Sequence, residues 1–473
     1  VPRHANCLAG GGAPQAGATA CHIGAVALTA DGVNEKMSPS PRQMHLGVFV
    51  LGTGNHIAGW RYPGAAQSFE DLSVIQEIGR IAERGKFDLI FLGDNLASEP
   101  GMHPSFAARF EPLTMLAALA ATTTHVGLGA TASTTYAEPY NVARMFASLD
   151  HLSGGRAAWN AVTSSGGKVA ENFGRIHPEH DARYEVAEEF VDVVRGLWDC
   201  WDDGAVVRNV ETGQYIDPAK VKPLNHVGKF FKVKGPLSSS RTPQGQPIIL
   251  QAGSSEPGLK LAARTADVVF AVVQDMGEAQ SGYRALKERM PAYGRHASEI
   301  AVLPGMMPVI GRTEREARDK LNLLQSFVNP ANANSMLAAR MGMDVSGFPL
   351  DEKVPKDFPL PDTSHGFAKA MLAKAWRENM TWRDMFSLAG AARGHWVVCG
   401  TPVQIADTMQ EWFDSYACDG FNVLPPYFPG GFDDFVDMVV PILQERGLYR
   451  ADYTGRTLRE HLGLPRPKSR LFQ

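Results

Sequence analysis

From residue 44 onward, apolar positions in this chain alternate between two rhythms. Runs that are apolar at nearly every position (44–51, 87–92, 126–132, 156–162, 248–250, 267–273, 300–310 and 420–425) predict strands buried on both faces. Between them, 71–84 places Leu72, Ile75, Ile78 and Ile81 at helical spacing. Stretches 111–123, 139–152, 185–199, 314–328, 403–416 and 432–446 are also read as helices. Eight strands alternating with helices predict an α/β chain of parallel units, and the count favours a closed (β/α)8 TIM barrel with long insertions. An open dinucleotide-binding sheet carries a glycine fingerprint after its first strand. Here 52–56 reads Gly-Thr-Gly-Asn-His, with no third glycine and no immediate helix. Pro304 and Gly305 are expected to break the seventh strand. Insertions are expected at about 200–245 and 329–394, the second rich in Pro and Gly near its middle and helical around 367–376.

The best-defined unit is 247–274. A buried strand ends in Gln251-Ala-Gly-Ser-Ser, Gly253 permits a tight turn, and Ser254 or Ser255 caps the next helix. Backbone N–H groups and hydroxyls at a helix N-terminus suit a phosphate, although a capped helix with no ligand reads the same way. Other polar residues gather at strand ends: His56, Asp94, Thr131, Ser133, Asn160, Thr163, Ser164 and Gln251. In a barrel these ends share the face where active sites form. A further group, His177-Pro-Glu-His180-Asp-Ala-Arg183-Tyr184, opens an acidic helix, with His180 and Tyr184 four apart on one face.

Bulk properties narrow the function. The chain has 473 residues and a net charge of −4, which gives no footprint for nucleic acid or an anionic membrane. No apolar run approaches the ~20 residues of a membrane span. Five cysteines without metal or disulfide spacing point to a reducing cytoplasm. No histidine pair has metal-ligand spacing, and neither a Gly-x-Ser-x-Gly elbow nor a Walker loop occurs. Residues 1–42 are expected to be a disordered extension or start-site artefact, with Met37 as the candidate start. The barrel domain is expected over 43–447, followed by a tail at 448–473.

Several stretches carry a resemblance. They are Gly59-Trp-Arg-Tyr-Pro, Glu83-Arg-Gly-Lys-Phe-Asp, Phe146-Ala-Ser-Leu-Asp-His-Leu-Ser-Gly-Gly-Arg, Trp159-Asn-Ala-Val-Thr-Ser, Asn172-Phe-Gly, His180-Asp-Ala-Arg-Tyr, Gln251-Ala-Gly-Ser-Ser and Asp419-Gly-Phe-Asn-Val-Leu-Pro-Pro-Tyr. Over about 43–468 the chain resembles the bacterial-luciferase-like flavin monooxygenases, within the nitrilotriacetate monooxygenase component A group that also holds dibenzothiophene sulfone and long-chain alkane monooxygenases. The resemblance implies a barrel binding reduced FMN (FMNH2) from a separate NAD(P)H:flavin reductase and using O2 as co-substrate through a C4a-peroxyflavin. It implies that Ser254, Ser255 and Tyr184 hold the phosphate and that His180 reaches the ribityl or phosphate end. Asp94, Thr131, Asn160 and Ser164 would surround the flavin rings. His56, with Asn160 and Ser164, falls on the catalytic side, and Trp60 and Arg61 lie where substrate residues are expected. Ser165 replaces a histidine of alkane-oxidising relatives. A cytoplasmic homo-oligomer, dimer or tetramer, is implied. The substrate remains open between an aminopolycarboxylate, with Arg61 as its cation, and an organosulfur compound. A deazaflavin-dependent oxidoreductase and a non-catalytic flavin-binding protein are the other readings.

Overall fold

The computed structural model describes residues 42–101, 103–164, 167–253, 255–359 and 365–472. Nine parallel strands form its main sheet: β1 (His45–Val50), β2 (Leu89–Leu92), β3 (Gly127–Ser133), β4 (Ala157–Val162), β5 (Ile248–Gln251), β6 (Val268–Ala271), β7 (Ala301–Ile310), β8 (Trp396–Gly400) and β9 (Gly420–Val423). Eight of them close a barrel. β1 pairs with β2 and β9, the ladder runs on through β3, β4, β5 and β6 to β7, and β7 returns to β9. The expected TIM barrel is therefore present, with each strand close to its expected place.

Two departures share one cause. β7 is unbroken, and β8, which the apolar pattern did not single out, lies beside its second half, Met306–Ile310. Pro304 is the last β7 residue paired with β6, opposite Ala271, so its missing N–H falls where the strand changes partners. At Gly305 a Cβ would lie 2.6 Å from His395 Nδ1 and 2.7 Å from the Phe270 ring, so the close approach requires glycine.

The principal helices are α1 (Leu72–Arg84), α2 (Pro112–Ala120), α3 (Pro139–Ser153), α4 (His180–Trp198), α5 (Glu256–Thr265), α6 (Met276–Arg289), α7 (Glu314–Ser326), α8 (Pro330–Met341), α9 (His365–Glu378), α10 (Trp382–Ala392), α11 (Pro402–Asp414), α12 (Gly430–Met438) and α13 (Val440–Glu445). Alternation along the strands divides the core. Leu46, Val48 and Val50 of β1 face the helices, whereas Phe49, Leu89, Phe91, Leu250, Val268 and Leu303 fill the lumen. Within the insertion, helices α8, α9 and α10 share an apolar core including Leu337, Met371, Trp382 and Met385, which also takes in Ile57 and Ala58 from the loop after β1.

Residues 448–472 lie against the amino-terminal ends of the strands. Leu458, Leu462 and Leu464 join the lumen cluster, and a Cβ on Gly127 would meet Leu458 at 2.7 Å. Tyr449 and Tyr453 donate to the carbonyls of Lys86 and Phe87, and Arg450 pairs with the fully buried Asp88. Asp88 also accepts from Leu46 N at 2.8 Å. Of the stretch expected to be disordered, 1–41 lie outside the described residues. Arg42 is anchored to the Phe413 carbonyl at 2.7 Å and to Asp419 at 3.2 Å. Removing one partner of a buried pair leaves an uncompensated charge, so Arg450→Ala is expected to cost about 3–5 kcal/mol. Urea unfolding checks this, and a loss below ~1 kcal/mol defeats the assignment of this segment as part of the barrel's stability.

Candidate functional site

At the carboxyl-terminal rim, the loop after β1 is seated on the loop after β9. Asn55 Nδ2 donates to the Phe49 carbonyl at 2.8 Å and to the Pro425 carbonyl at 3.2 Å. Cβ atoms on Gly54 and Gly59 would each fall 2.3 Å from the Pro426 carbonyl oxygen, so this contact admits only glycine. The same seat buries His56, which is 1% exposed. His56 Nδ1 accepts from Ala58 N at 3.1 Å, which assigns the ring proton to Nε2. Nε2 is buried and has no partner. Burial pushes the His56 pKa down to about 3, so the ring is neutral near pH 7. His103 is similarly buried. Its Nδ1 accepts from Ser105 N at 3.2 Å and its Nε2 donates to the Gly54 carbonyl at 3.0 Å. Burial, followed by the charge of Arg393, pushes it down to about 3.

Asn160 Nδ2 donates to Thr131 Oγ1 at 2.8 Å across paired positions of β3 and β4, and Thr131 Oγ1 donates to the Leu92 carbonyl at 2.9 Å. The Asn160 Oδ1 acceptor is left buried without a partner. Ser164 follows β4 in a left-handed conformation, φ 48°, and its Oγ donates to Ser133 Oγ at 2.8 Å. Arg183 of α4 donates to the Ser164 carbonyl. At the end of β2, Asp94 accepts from Asn95 N at 2.9 Å and pairs with Arg109 at 3.2 Å. Burial raises the Asp94 carboxyl above its ordinary value, and Arg109 opposes that shift. Beneath this rim, the rings of Phe49, Phe91 and Phe270 stand 5.0–5.7 Å apart, and His395 stacks on Phe270 at 5.1 Å.

On the next strand, Ser255 caps α5, its Oγ accepting from Gly258 N at 3.3 Å and donating to Tyr184 Oη at 3.4 Å. A Cβ on either Gly253 or Gly258 would lie 3.1 Å from that phenol oxygen, so the turn and helix start are shaped around it. Ser254 lies outside the described residues. His180 is half-exposed, with its ring 5.1 Å from that of Tyr184 and its Nδ1 bonded to Asp181 at 2.8 Å.

The structure thus joins Thr131 to Asn160 and Ser255 to Tyr184, and it buries His56. The two expected substrate residues make the following contacts. Arg61 bonds the Phe327 carbonyl with its guanidinium 5.0 Å from that ring, and Trp60 is 40% exposed. Their side chains tie the first loop to the entry of the insertion or face solvent. Sequence reading missed Arg183, His103 and Arg393. Arg393 ends α10 in a left-handed conformation, donates to Asn55 Oδ1 at 3.2 Å and lies 5.1 Å over the Phe49 ring. Arg183 was within reach, being part of the same motif as Tyr184.

Against known families, residues 44–418 match the luciferase-like monooxygenases. The chain belongs to that family. This luciferase-like monooxygenase is 49% identical over 438 residues to N-acetyl-S-(2-succino)cysteine monooxygenase of Bacillus subtilis (strain 168), covering 92% of this chain and 99% of the relative. It is 45% identical to nitrilotriacetate monooxygenase component A of Aminobacter aminovorans, covering 90% and 98%. The solved EDTA monooxygenase of Chelativorans sp. BNC1 superposes with a TM-score of 0.77 at 34% identity, covering 90% and 99%. By family the protein is therefore a flavin-dependent monooxygenase. No described helix is long and apolar enough to cross a membrane.

His56 and His103, neutral in the fold, add stability that is complete above their ordinary pKa near 6.5 and is lost as pH falls toward about 3. Between pH 7 and 5 the unfolding free energy should fall by up to ~1.4 kcal/mol per pH unit for each ring. His56→Gln should remove one ring's share of that slope. Urea titrations at pH 5, 6 and 7 measure it, and parallel slopes in the two proteins contradict the neutral, buried state of His56.

Proposed function

We propose that the protein uses reduced FMN and O2 to oxygenate a small carboxylated molecule at a carbon joined to sulfur or nitrogen. One observation supports the cofactor seat: buried polar atoms at the strand ends have no partner in the described protein. They are His56 Nε2, Asn160 Oδ1, Gln251 Nε2 and Gln274 Oε1. Such groups are costly unless a ligand completes them. Two donors and two acceptors around an aromatic floor suit the polar edge and flat faces of an isoalloxazine, and the Ser255–Tyr184 pair suits the phosphate.

Bound there, FMN in its reduced form supplies the electrons that activate O2, one oxygen atom going to the substrate and the other to water. The chain's own residues bind, orient and exclude water. Asn160, held by Thr131, presents its free oxygen to the ring edge, and the Phe49–Phe91–Phe270 floor keeps the reacting side dry. His56 is not a general acid at neutral pH. Its Nε2–H donates a hydrogen bond that orients substrate or oxygen. The substrate class rests on the similar proteins: nitrilotriacetate and EDTA are amines bearing carboxylates, and the succinocysteine compound is a thioether bearing them. The polycarboxylate and organosulfur readings therefore meet in one chemical type. Arg393, beside Asn55 and over Phe49, is the cation that this reading sets against a substrate carboxylate. A separate NAD(P)H:flavin reductase supplies FMNH2 in the cytoplasm, and the oxygenase works as a homo-oligomer.

Oxygen uptake with a flavin reductase, NADH, FMN and a substrate panel tests this reading. Carboxylated amines or thioethers should stimulate uptake with matching product. Turnover of a neutral sulfone with every carboxylate refused would sink it. Arg393→Gln should raise KM for the accepted carboxylate by roughly 10-fold or more while FMN affinity changes little, in line with a charged hydrogen bond of ~1.5–3 kcal/mol. Unchanged KM removes Arg393 from substrate recognition.

A further inference from the structure

Arg183 is the second charged group that the flavin reading does not absorb, and it is placed unlike an ordinary surface arginine. It is only 9% exposed on the first turn of α4. One guanidinium nitrogen donates to the Ser164 carbonyl, and Nε is buried with no partner. Arg183 forms no ion pair among the described residues. Of the groups that sense its charge, Tyr136 is raised and His177 lowered by burial, which favours their neutral forms, and the carboxylate, Glu179, is exposed. A guanidinium stays charged in a protein, and burying it without a counter-charge is unfavourable. The site therefore calls for an anion.

Position says which anion. Arg183 and Tyr184 are successive residues that reach the ends of neighbouring strands, Arg183 to Ser164 after β4 and Tyr184 to Ser255 after β5. The first turn of α4, which has no side-chain cap, lies beside the start of α5, and a helix N-terminus carries positive partial charge.

Building on the FMN reading above, we propose that Arg183 is the counter-ion of the flavin phosphate and couples phosphate binding to the turn that meets the flavin ring. One guanidinium N–H holds the left-handed Ser164, whose Oγ bonds Ser133, and the face left over meets the phosphate. The phosphate thus organises the reacting end of the site as well as adding affinity. Riboflavin, which has the same ring and no phosphate, leaves the charge uncompensated.

The test is fluorescence titration of oxidised FMN and of riboflavin into the wild type, Arg183→Gln and Arg183→Lys, with circular dichroism and melting curves as folding controls. Arg183→Gln should weaken FMN binding by about 10- to 150-fold, the span of a hydrogen bond to a charged group, and leave riboflavin within about 3-fold. Arg183→Lys should fall between. Inorganic phosphate should compete with FMN on the wild type and lose that effect on Arg183→Gln. The visible spectrum of FMN bound to Arg183→Gln should match that of riboflavin bound to the wild type. Equal losses for both flavins overturn the proposal, because Arg183 then acts on the Ser164 turn alone. Unchanged FMN affinity in Arg183→Gln also overturns it while leaving the FMN reading intact, and a wild type that binds neither flavin overturns both.

Discussion

Closure between β1 and β9 is the constraint from which the rest of the molecule follows. It rests on Gly420, where a Cβ would stand 1.9 Å from the His45 carbonyl oxygen at a φ of 148°. No side chain fits that approach. Asp419, one residue earlier, locks the register. Its carboxylate accepts from Val302 N at 2.9 Å and Tyr283 at 2.9 Å, and it pairs with Lys287 at 3.0 Å. With β9 fixed between β7 and β1, the first and last rim loops lie side by side, and the Asn55 amide joins them. His56 owes its burial, and hence its neutrality, to that junction.

At the amino-terminal end of the barrel, carboxylates are fully satisfied. Asp88 and Asp419 are held below the usual range by Arg450 and His45 and by Lys287 respectively, despite burial that works the other way. At the carboxyl-terminal end, burial wins: the Asp94 carboxyl is raised, His56 and His103 are neutral, and several polar atoms have no protein partner. Natural proteins break the rule of polar satisfaction chiefly at functional sites. At the carboxyl-terminal end those unpartnered atoms include groups of the proposed flavin seat, Asn160 and Gln251.

Strands were legible because a parallel strand buried on both faces leaves an unmistakable apolar run, as at Leu89–Leu92. What escaped depended on context. α6 buries only Ala279 and Leu286, so its pattern is too polar to stand out. Pro304 reads as a breaker locally and is tolerated because β7 changes partners there. At the site, Ser255 and Tyr184 were legible as hydroxyls in a strand–turn–helix and at a helix start. His103 and Arg393 were not. His103 meets a carbonyl 49 residues away and Arg393 an amide 338 residues away, and an arginine in isolation reads as solvated surface.

The junction of the first loop with the insertion bears on how such a scaffold changes substrate. Ile57 N donates to the Gly390 carbonyl at 3.0 Å, and Ile57 and Ala58 belong to the insertion's own apolar core. The residues on either side of His56 are thus committed, Asn55 to the barrel and to Arg393, Ile57 to α10. Repacking of the insertion for a differently shaped substrate is transmitted to the imidazole through Ile57 and Ala58, whose N–H bonds His56 Nδ1. The proposed flavin seat on β3, β4 and β5 shares none of these bonds. Cofactor binding and substrate recognition can therefore diverge separately on one barrel, provided that the Ile57–Gly390 strap and the glycines facing Pro426 are kept.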